Sequence, residues 1–396
     1  MNPSRRLSNA WIAVLSPALV WIGGFSARAA DPPTRVIAIK TPDAGIQPQA
    51  VTDAAGVIHL LYFRGQPSGG DLYHARREPG ETEFSGHVRV NSQPGSAVAV
   101  GTIRGGQLAI GKEGRVHVAW NGSSRAEPPN PILGSPMLYS RSNPEGTAFE
   151  PQRNLMRRTF HLDGGGSVAA DAQGRVYVAW HAASAEGPEG EAGRRLWVAR
   201  SEDDGATFTE EKPALEQATG ACACCGTKAL VDRRGTLHVL FRAATASVER
   251  DMTLVTSTDH GETFQAASLQ PWPVTTCPMS SESLLETPQG VLAAWETKGR
   301  IAYSRIDPQT LVPSKPISPP GTGNRKHPAL AVNASGEILV AWTEDTGWQR
   351  GGALVWRIFS PSGQATREMG RIEGGIPVWG LPAAAALPDG RFLIIH

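Results

Sequence analysis

The residues of this 396-residue chain best placed to do chemistry are its four cysteines, which all fall in two short segments, Cys222-Ala223-Cys224-Cys225 and Cys277-Pro278-Met279. Thiols gathered in this way do one of two things. In an oxidising compartment they pair, and four cysteines permit three pairings. As thiolates they are soft ligands: with Met279 and Met252 they suit Cu(I), and nitrogen ligands widen the choice to zinc or Cu(II). His161 and His327 occupy comparable places elsewhere in the chain. No spacing here equals a zinc motif, so disulfide and metal both stay open. A second set is cationic. Arg64, Arg242 and Arg250 end or follow β-rich runs and are placed to converge on an anion, although arginines of this kind also serve in surface or inter-element pairs.

A repeat must position these residues. An apolar run, a polar turn ending in Gly and an alternating run ending mostly in an aromatic residue recur around Gly56, Gly114, Gly174, Gly235, Gly290, Gly336 and Gly390, at a spacing of about 46 to 61 residues. Each unit reads as a hairpin whose Gly supplies the positive φ of a tight turn and whose second strand alternates, as in Val116-His117-Val118-Ala119-Trp120. A third strand follows, as in Met137-Leu138-Tyr139-Ser140 or Leu254-Val255-Thr256-Ser257. One such sheet cannot bury both of its faces, so the sheets must stack around a common axis. The expectation is an all-β propeller of seven blades, with six as the alternative. The last repeat stops after its second strand, while Arg35-Val36-Ile37-Ala38-Ile39 is a strand without a repeat of its own. The two ends therefore share one blade, which removes an exposed edge. Both cysteine segments precede the first strand of a unit, and the units are neighbours, so the segments should lie side by side near the axis.

Arg5 and Arg6 precede an apolar run from Ala10 to Phe25, and Ala27-Arg28-Ala29 offers small residues for cleavage. Residues 1–29 read as an export signal, residues 30–396 as one propeller domain, and the destination as secreted or periplasmic. Removing the signal takes away three arginines and no acidic residue, moving the formal charge from +1 to −2. That balance gives no case for nucleic acid or an anionic membrane as partner, and no later segment is a membrane span.

Two copies of one motif follow third strands: Ser201-Glu202-Asp203-Asp204-Gly205-Ala206-Thr207-Phe208 and Ser257-Thr258-Asp259-His260-Gly261-Glu262-Thr263-Phe264. The short carboxylates of Asp203 and Asp259 can accept backbone N–H groups of the turn, the glycines permit positive φ, and the phenylalanines can tuck beneath the loop. Degenerate copies stand at Ser142–Phe149 and Arg77–Phe84. This motif resembles the Asp box, or BNR repeat, of the sialidase-like propellers, and the repeats that carry the resemblance cover nearly the whole mature chain. In that family the boxes are peripheral and structural. His260, inside a box, should then face away from the axis, and His59, His117 and His238 share one repeat position and belong to the blade pattern.

The resemblance implies an arginine clamp on a substrate carboxylate, an Asp acid/base and a Tyr nucleophile activated by a Glu. Gly45-Ile46-Gln47-Pro48 stands where the family has aromatic-Arg-Ile-Pro, so Gln47 replaces a clamp arginine. Ser281-Glu282-Ser283 resembles the family's Glu-bearing strand, with Tyr303 as the available phenol and Glu296 following Trp295 where an Arg belongs. Catalysis would then fall to Arg242, Arg250, Glu282 and Tyr303, with Gln47 and Arg64 as ligand-binding residues. Two functions follow for a site on the central face: a non-catalytic or metal- or redox-bearing binding protein for a glycan or small anion, or an exo-α-sialidase-like hydrolase. The cofactor stays open: copper or zinc at the cysteine cluster belongs to the binding reading, with a plain disulfide as its alternative.

Overall fold

The alternating runs become strands because each has one face to bury against each neighbouring sheet. Val116–Asn121, for example, is buried along its whole length. The hairpin before it turns through Gly114 at φ 76°, a conformation that favours glycine. The computed structural model describes residues 35–246 and 248–396, so the export segment expected over 1–29 lies outside the described residues.

Seven sheets stand in chain order. Blade I holds Ile46–Thr52, Ile58–Gln66, Gly69–Arg77 and Ser85–Arg89. Blade II begins with Gln107–Ile110 and Val116–Asn121, blade III with Ser167–Ala170 and Val176–Ser184, and blade IV with Thr227–Val231 and Leu237–Arg242. Blade V has three strands, Ser283–Thr287, Gly290–Thr297 and Arg300–Ile306, and blade VI opens with Arg325–Val332 and Ile338–Glu344. Blade VII is composite. Ala383–Ala386 pairs antiparallel with Phe392–Ile395, which pairs parallel with Val36–Ile39 from the other end of the chain. The first strand of every blade touches those of both neighbours, and Ile46–Thr52 closes the circle against Ala383–Ala386. The protein is a seven-bladed propeller, and the six-bladed alternative falls.

The core lies between blades rather than within them. Trp120 of blade II packs with Leu61, Phe63 and Leu72 of blade I, and Trp180 of blade III packs with Ala119, Met137 and Tyr139 of blade II. Burial of each large aromatic contributes about 2–3 kcal/mol, and Trp120→Ala would cost about 3–5 kcal/mol by leaving a cavity in a wall that two blades share.

The two Ser-x-Asp-x-Gly-x-Thr-Phe turns fasten the outer rim. Asp203 accepts from Thr207 N at 2.8 Å and Thr207 Oγ1 at 2.6 Å, and Ser201 Oγ accepts from Gly205 N at 2.8 Å. Asp259 repeats the pattern with Thr263 N at 2.9 Å, while Ser257 Oγ accepts from Gly261 N at 2.8 Å. These bonds hold the Asp259 carboxyl far below the usual carboxylate range. Each turn also reaches the preceding blade. Phe208 meets the Tyr139 ring edge-on at 4.8 Å, Arg141 donates to Asp204 O at 2.7 Å, and Phe264 packs on the cluster that holds Tyr177. His260 sits at this rim, where its Nε2 lies 3.0 Å from Arg175 Nη1. The repeated histidines are structural: His59 and His238 meet Asp53 and Asp232 at 3.2 and 3.1 Å, and the same aspartates cap the hairpin turns.

Candidate functional site

The seven first strands enclose an axial channel of about 400 Å³. Near its mouth the register sets one polar layer. Gln107, Ser167, Lys228 and Ser283 pair with Ala119, Ala179, Leu240 and Ala294, each of which directly precedes the large aromatic of its second strand. Below this layer the wall turns apolar, with Leu108, Val168, Leu230, Leu285 and Leu330.

Lys228 dominates the layer. Its ammonium donates to Gln107 Oε1 at 2.7 Å and, across the axis, to Gln49 Oε1 of blade I at 3.3 Å. Among the described residues both acceptors are neutral amides, so the charge has no counterion. Burial without a carboxylate brings its pKa down from 10.5 to about 8.

Glu282 lies at the same mouth. It is 7% exposed, and neither carboxyl oxygen has a hydrogen-bond partner among the described residues. Burial, helped by nearby Cys225 and opposed by Arg242, pushes it well above the usual carboxylate range. Burial raises Glu296 as well, and its Oε1 accepts from Gly299 N at 2.7 Å. His327 is buried at the mouth with Nδ1 3.0 Å from Ser281 Oγ, and burial lowers its pKa to about 3.

Gln47 is buried at φ 54° and ties three loops together, donating to Ala99 O at 2.6 Å and Trp379 O at 3.0 Å. Gln47-Pro48 and His327-Pro328 are the same device in blades I and VI: each is a bulge in the first strand that turns the residue before Pro into the mouth. Beside them a smaller cleft shares Thr102 and His327 with the channel wall and is lined by Met279, Trp348 and Trp379. The two indoles meet edge-on at 6.0 Å, and Trp348 is 53% exposed.

The three arginines do not gather on this channel. Arg242 is wholly buried, donates to Arg250 O at 2.7 Å and to Glu296 O, and stacks on Trp272 at 4.9 Å. Arg250 donates to Glu249 O at 2.7 Å and pairs with Glu191, while Arg64 pairs with Asp43 at 3.0 Å, both side chains partly exposed. Tyr303 packs between blades V and VI against Phe359, with its hydroxyl 3.4 Å from Gly363 O. Burial raises its pKa to about 12, and Glu282 is not among its partners.

The cysteine segments do meet, as adjacent first-strand loops require. Cys224 and Cys277 form a disulfide with Cα atoms 6.5 Å apart, and Cys222 Sγ lies 3.6 Å from Cys224 Sγ. Cys222 and Cys225 are free and buried. Hydrogen bonding to Cys225, with burial, pushes the Cys222 thiol up. Met279 faces the tryptophan cleft, and His161 is an exposed residue whose carbonyl accepts from Arg194 at 2.6 Å. Neither these two nor His327 joins the sulfurs.

Lys228, Gln49, Gln107 and the two tryptophans were not singled out in the sequence. The available signal for Lys228 was a charge at the head of an otherwise apolar innermost run, Thr227-Lys228-Ala229-Leu230-Val231.

The fold is shared with sialidases and related seven-bladed propellers at low sequence identity. A Hadza microbial sialidase is similar at 16% identity and a TM-score of 0.50, covering 80% of this chain and 68% of its own. The NanB sialidase from Streptococcus pneumoniae, at 11% identity, covers 86% and 80% with a TM-score of 0.50. A leech intramolecular trans-sialidase, at 9% identity, covers 87% and 80% with the same score. No protein-family model and no curated protein matches the sequence. Among the described residues no helix is long and apolar enough to cross a membrane.

Proposed function

We propose that this protein is an exported, non-hydrolytic binding propeller for an acidic carbohydrate, with the ligand's anionic group in the axial channel. The observation that carries this reading is the Lys228 ammonium, held in a channel of about 400 Å³ by two amide oxygens and lacking a counterion among the described residues. An anion entering the channel supplies the missing charge in surroundings where water screens little. The Trp348 and Trp379 indoles at the adjoining cleft offer an apolar platform for a pyranose face. The Glu282 carboxyl lines the same channel with neither oxygen partnered among the described residues, and is free to hydrogen-bond the same ligand.

The hydrolytic reading has less support. Arg242 and Arg250 are committed to backbone carbonyls, Arg64 pairs with Asp43, and the Tyr303 hydroxyl lies in an interblade wall.

Calorimetric titration with glucuronate, N-acetylneuraminate and glucose tests the proposal. The two acids are expected to bind and glucose is not; Lys228→Met should abolish binding, and Trp348→Ala should weaken it about tenfold while leaving stability unchanged, since an exposed side chain contributes little to the fold. Equal affinity of wild type and Lys228→Met would sink the proposal. Release of a fluorescent aglycone from a sialoside would replace it with the hydrolytic reading.

A further inference from the structure

The cysteine cluster has a geometry that one bridge leaves unexplained. A single disulfide needs two sulfurs, yet the Sγ atoms of Cys222, Cys224 and Cys277 all lie within 4.8 Å of one another. Three sulfurs around one ion, each at a metal–sulfur distance of about 2.3 Å, stand about 4 Å apart, close to the 3.6 Å that separates Cys222 from Cys224 and a spacing that Cys224 and Cys277 reach once their bond opens. Within that span no imidazole nitrogen or carboxylate oxygen joins them among the described residues. A ligand set of sulfur alone, three in number, favours Cu(I) over zinc, which takes four ligands in structural sites.

We propose that reduction of the Cys224–Cys277 bridge opens a three-thiolate site for Cu(I), formed by Cys222, Cys224 and Cys277. A dithiol reductant supplies the electrons. One of its thiolates attacks the exposed Cys277 sulfur, the bond to Cys224 breaks, and Cys224 leaves as a thiolate that takes up a proton. The second reductant thiol resolves the mixed disulfide, so the reductant ends as a disulfide and Cys277 as a thiol. Binding of Cu(I) then displaces three thiol protons. The resulting unit carries a net charge of about −2, one cation against three thiolates. Arg194 and Arg250 stand close enough to the Cys222 sulfur to act on its charge, and Arg242 does the same for Cys225. Cys225 is packed beside the triad and outside it, so the site belongs to the other three.

The test uses the whole purified protein under anaerobic conditions, as the untreated chain and after reduction with dithiothreitol followed by desalting. Copper is offered as the Cu(I)–bicinchoninate complex, whose loss of colour reports transfer, and X-ray absorption counts the sulfurs. One Cu(I) per reduced chain in a shell of three sulfurs is expected, with none on the bridged chain. Cys222→Ser should lower the affinity at least about 100-fold, since even partners of ligands are worth 10–100-fold, whereas Cys225→Ser should retain the metal. Should Cys222→Ser fail to fold, alkylation of exposed Cys277 in the reduced wild type must abolish uptake instead. Equal uptake by bridged and reduced protein overturns the proposal, as does unchanged affinity in Cys222→Ser or the alkylated chain, or zinc that Cu(I) does not displace. Because the readout is copper, its failure leaves the carbohydrate reading of the channel untouched.

Discussion

Lys228→Met should make the protein more stable at neutral pH, and the advantage should fade as the solution becomes alkaline. In the folded chain the ammonium titrates at about 8, against an ordinary 10.5. At about 1.4 kcal/mol per unit, burial disfavours the charged form by roughly 3 kcal/mol. The unfolded chain binds the proton more tightly, so wild-type stability carries this full penalty below about pH 8 and recovers as pH rises toward 10.5. Methionine has no such proton. The stability of Lys228→Met minus that of wild type should therefore shrink by about 2 kcal/mol between pH 7 and pH 10. The lost bonds to Gln49 and Gln107 lower the variant's advantage at neutral pH without abolishing this slope. Guanidinium unfolding of both proteins at three pH values, extrapolated to water, measures the difference, and other titrating groups cancel in the comparison. A difference that stays flat across that range would refute the claim that an uncompensated ammonium is held in the axial channel.

Other outcomes follow from the rim and the bridge. Asp259→Ala removes the acceptor of Thr263 N and Thr263 Oγ1, and hydrogen exchange should become faster in residues 257–264, with global stability falling by about 1–2 kcal/mol and acidic-sugar affinity unchanged. The Asp203 carboxyl, brought down to about 2 against burial by its bonds to Thr207 and Ser201, keeps its turn closed to lower pH than an ordinary aspartate would. Its contribution is present above the ordinary carboxylate range and is lost as pH falls through about 2, which near-ultraviolet dichroism of an acid titration can follow. Cys277→Ala opens a loop whose ends lie 53 residues apart, and thermal unfolding should show a loss of up to about 4 kcal/mol with the blades otherwise intact.

The architecture was readable because a propeller repeats its physics. Each second strand alternates, ends mostly in an aromatic and follows a turn glycine, so seven blades and the unpaired Val36–Ile39 strand could be counted from the text of the chain. The meeting of the two cysteine segments followed from the same count, since both precede first strands of neighbouring blades, while the choice of Cys224 as partner for Cys277 did not. The polar layer was harder to see. Gln49 and Lys228 are 179 residues apart, and only closure of the ring carries the ammonium across the axis to that amide. Trp348 and Trp379 lie in connections that carry no period, and nothing in their neighbourhood announces that they face each other. Tyr303 illustrates the opposite difficulty: its strand alternates as a core strand should, and its ring fills an interblade wall.

Fastening at the circumference leaves the hub free to vary. Neighbouring sheets are clasped by Phe208 on Tyr139 and by Arg141 on the Asp204 carbonyl, contacts that owe nothing to Lys228 or Glu282. A wheel built in this way tolerates wholesale replacement of the groups around its axle, and a new specificity can be installed there by exchanging a handful of inward-facing side chains while the spokes stay as they are.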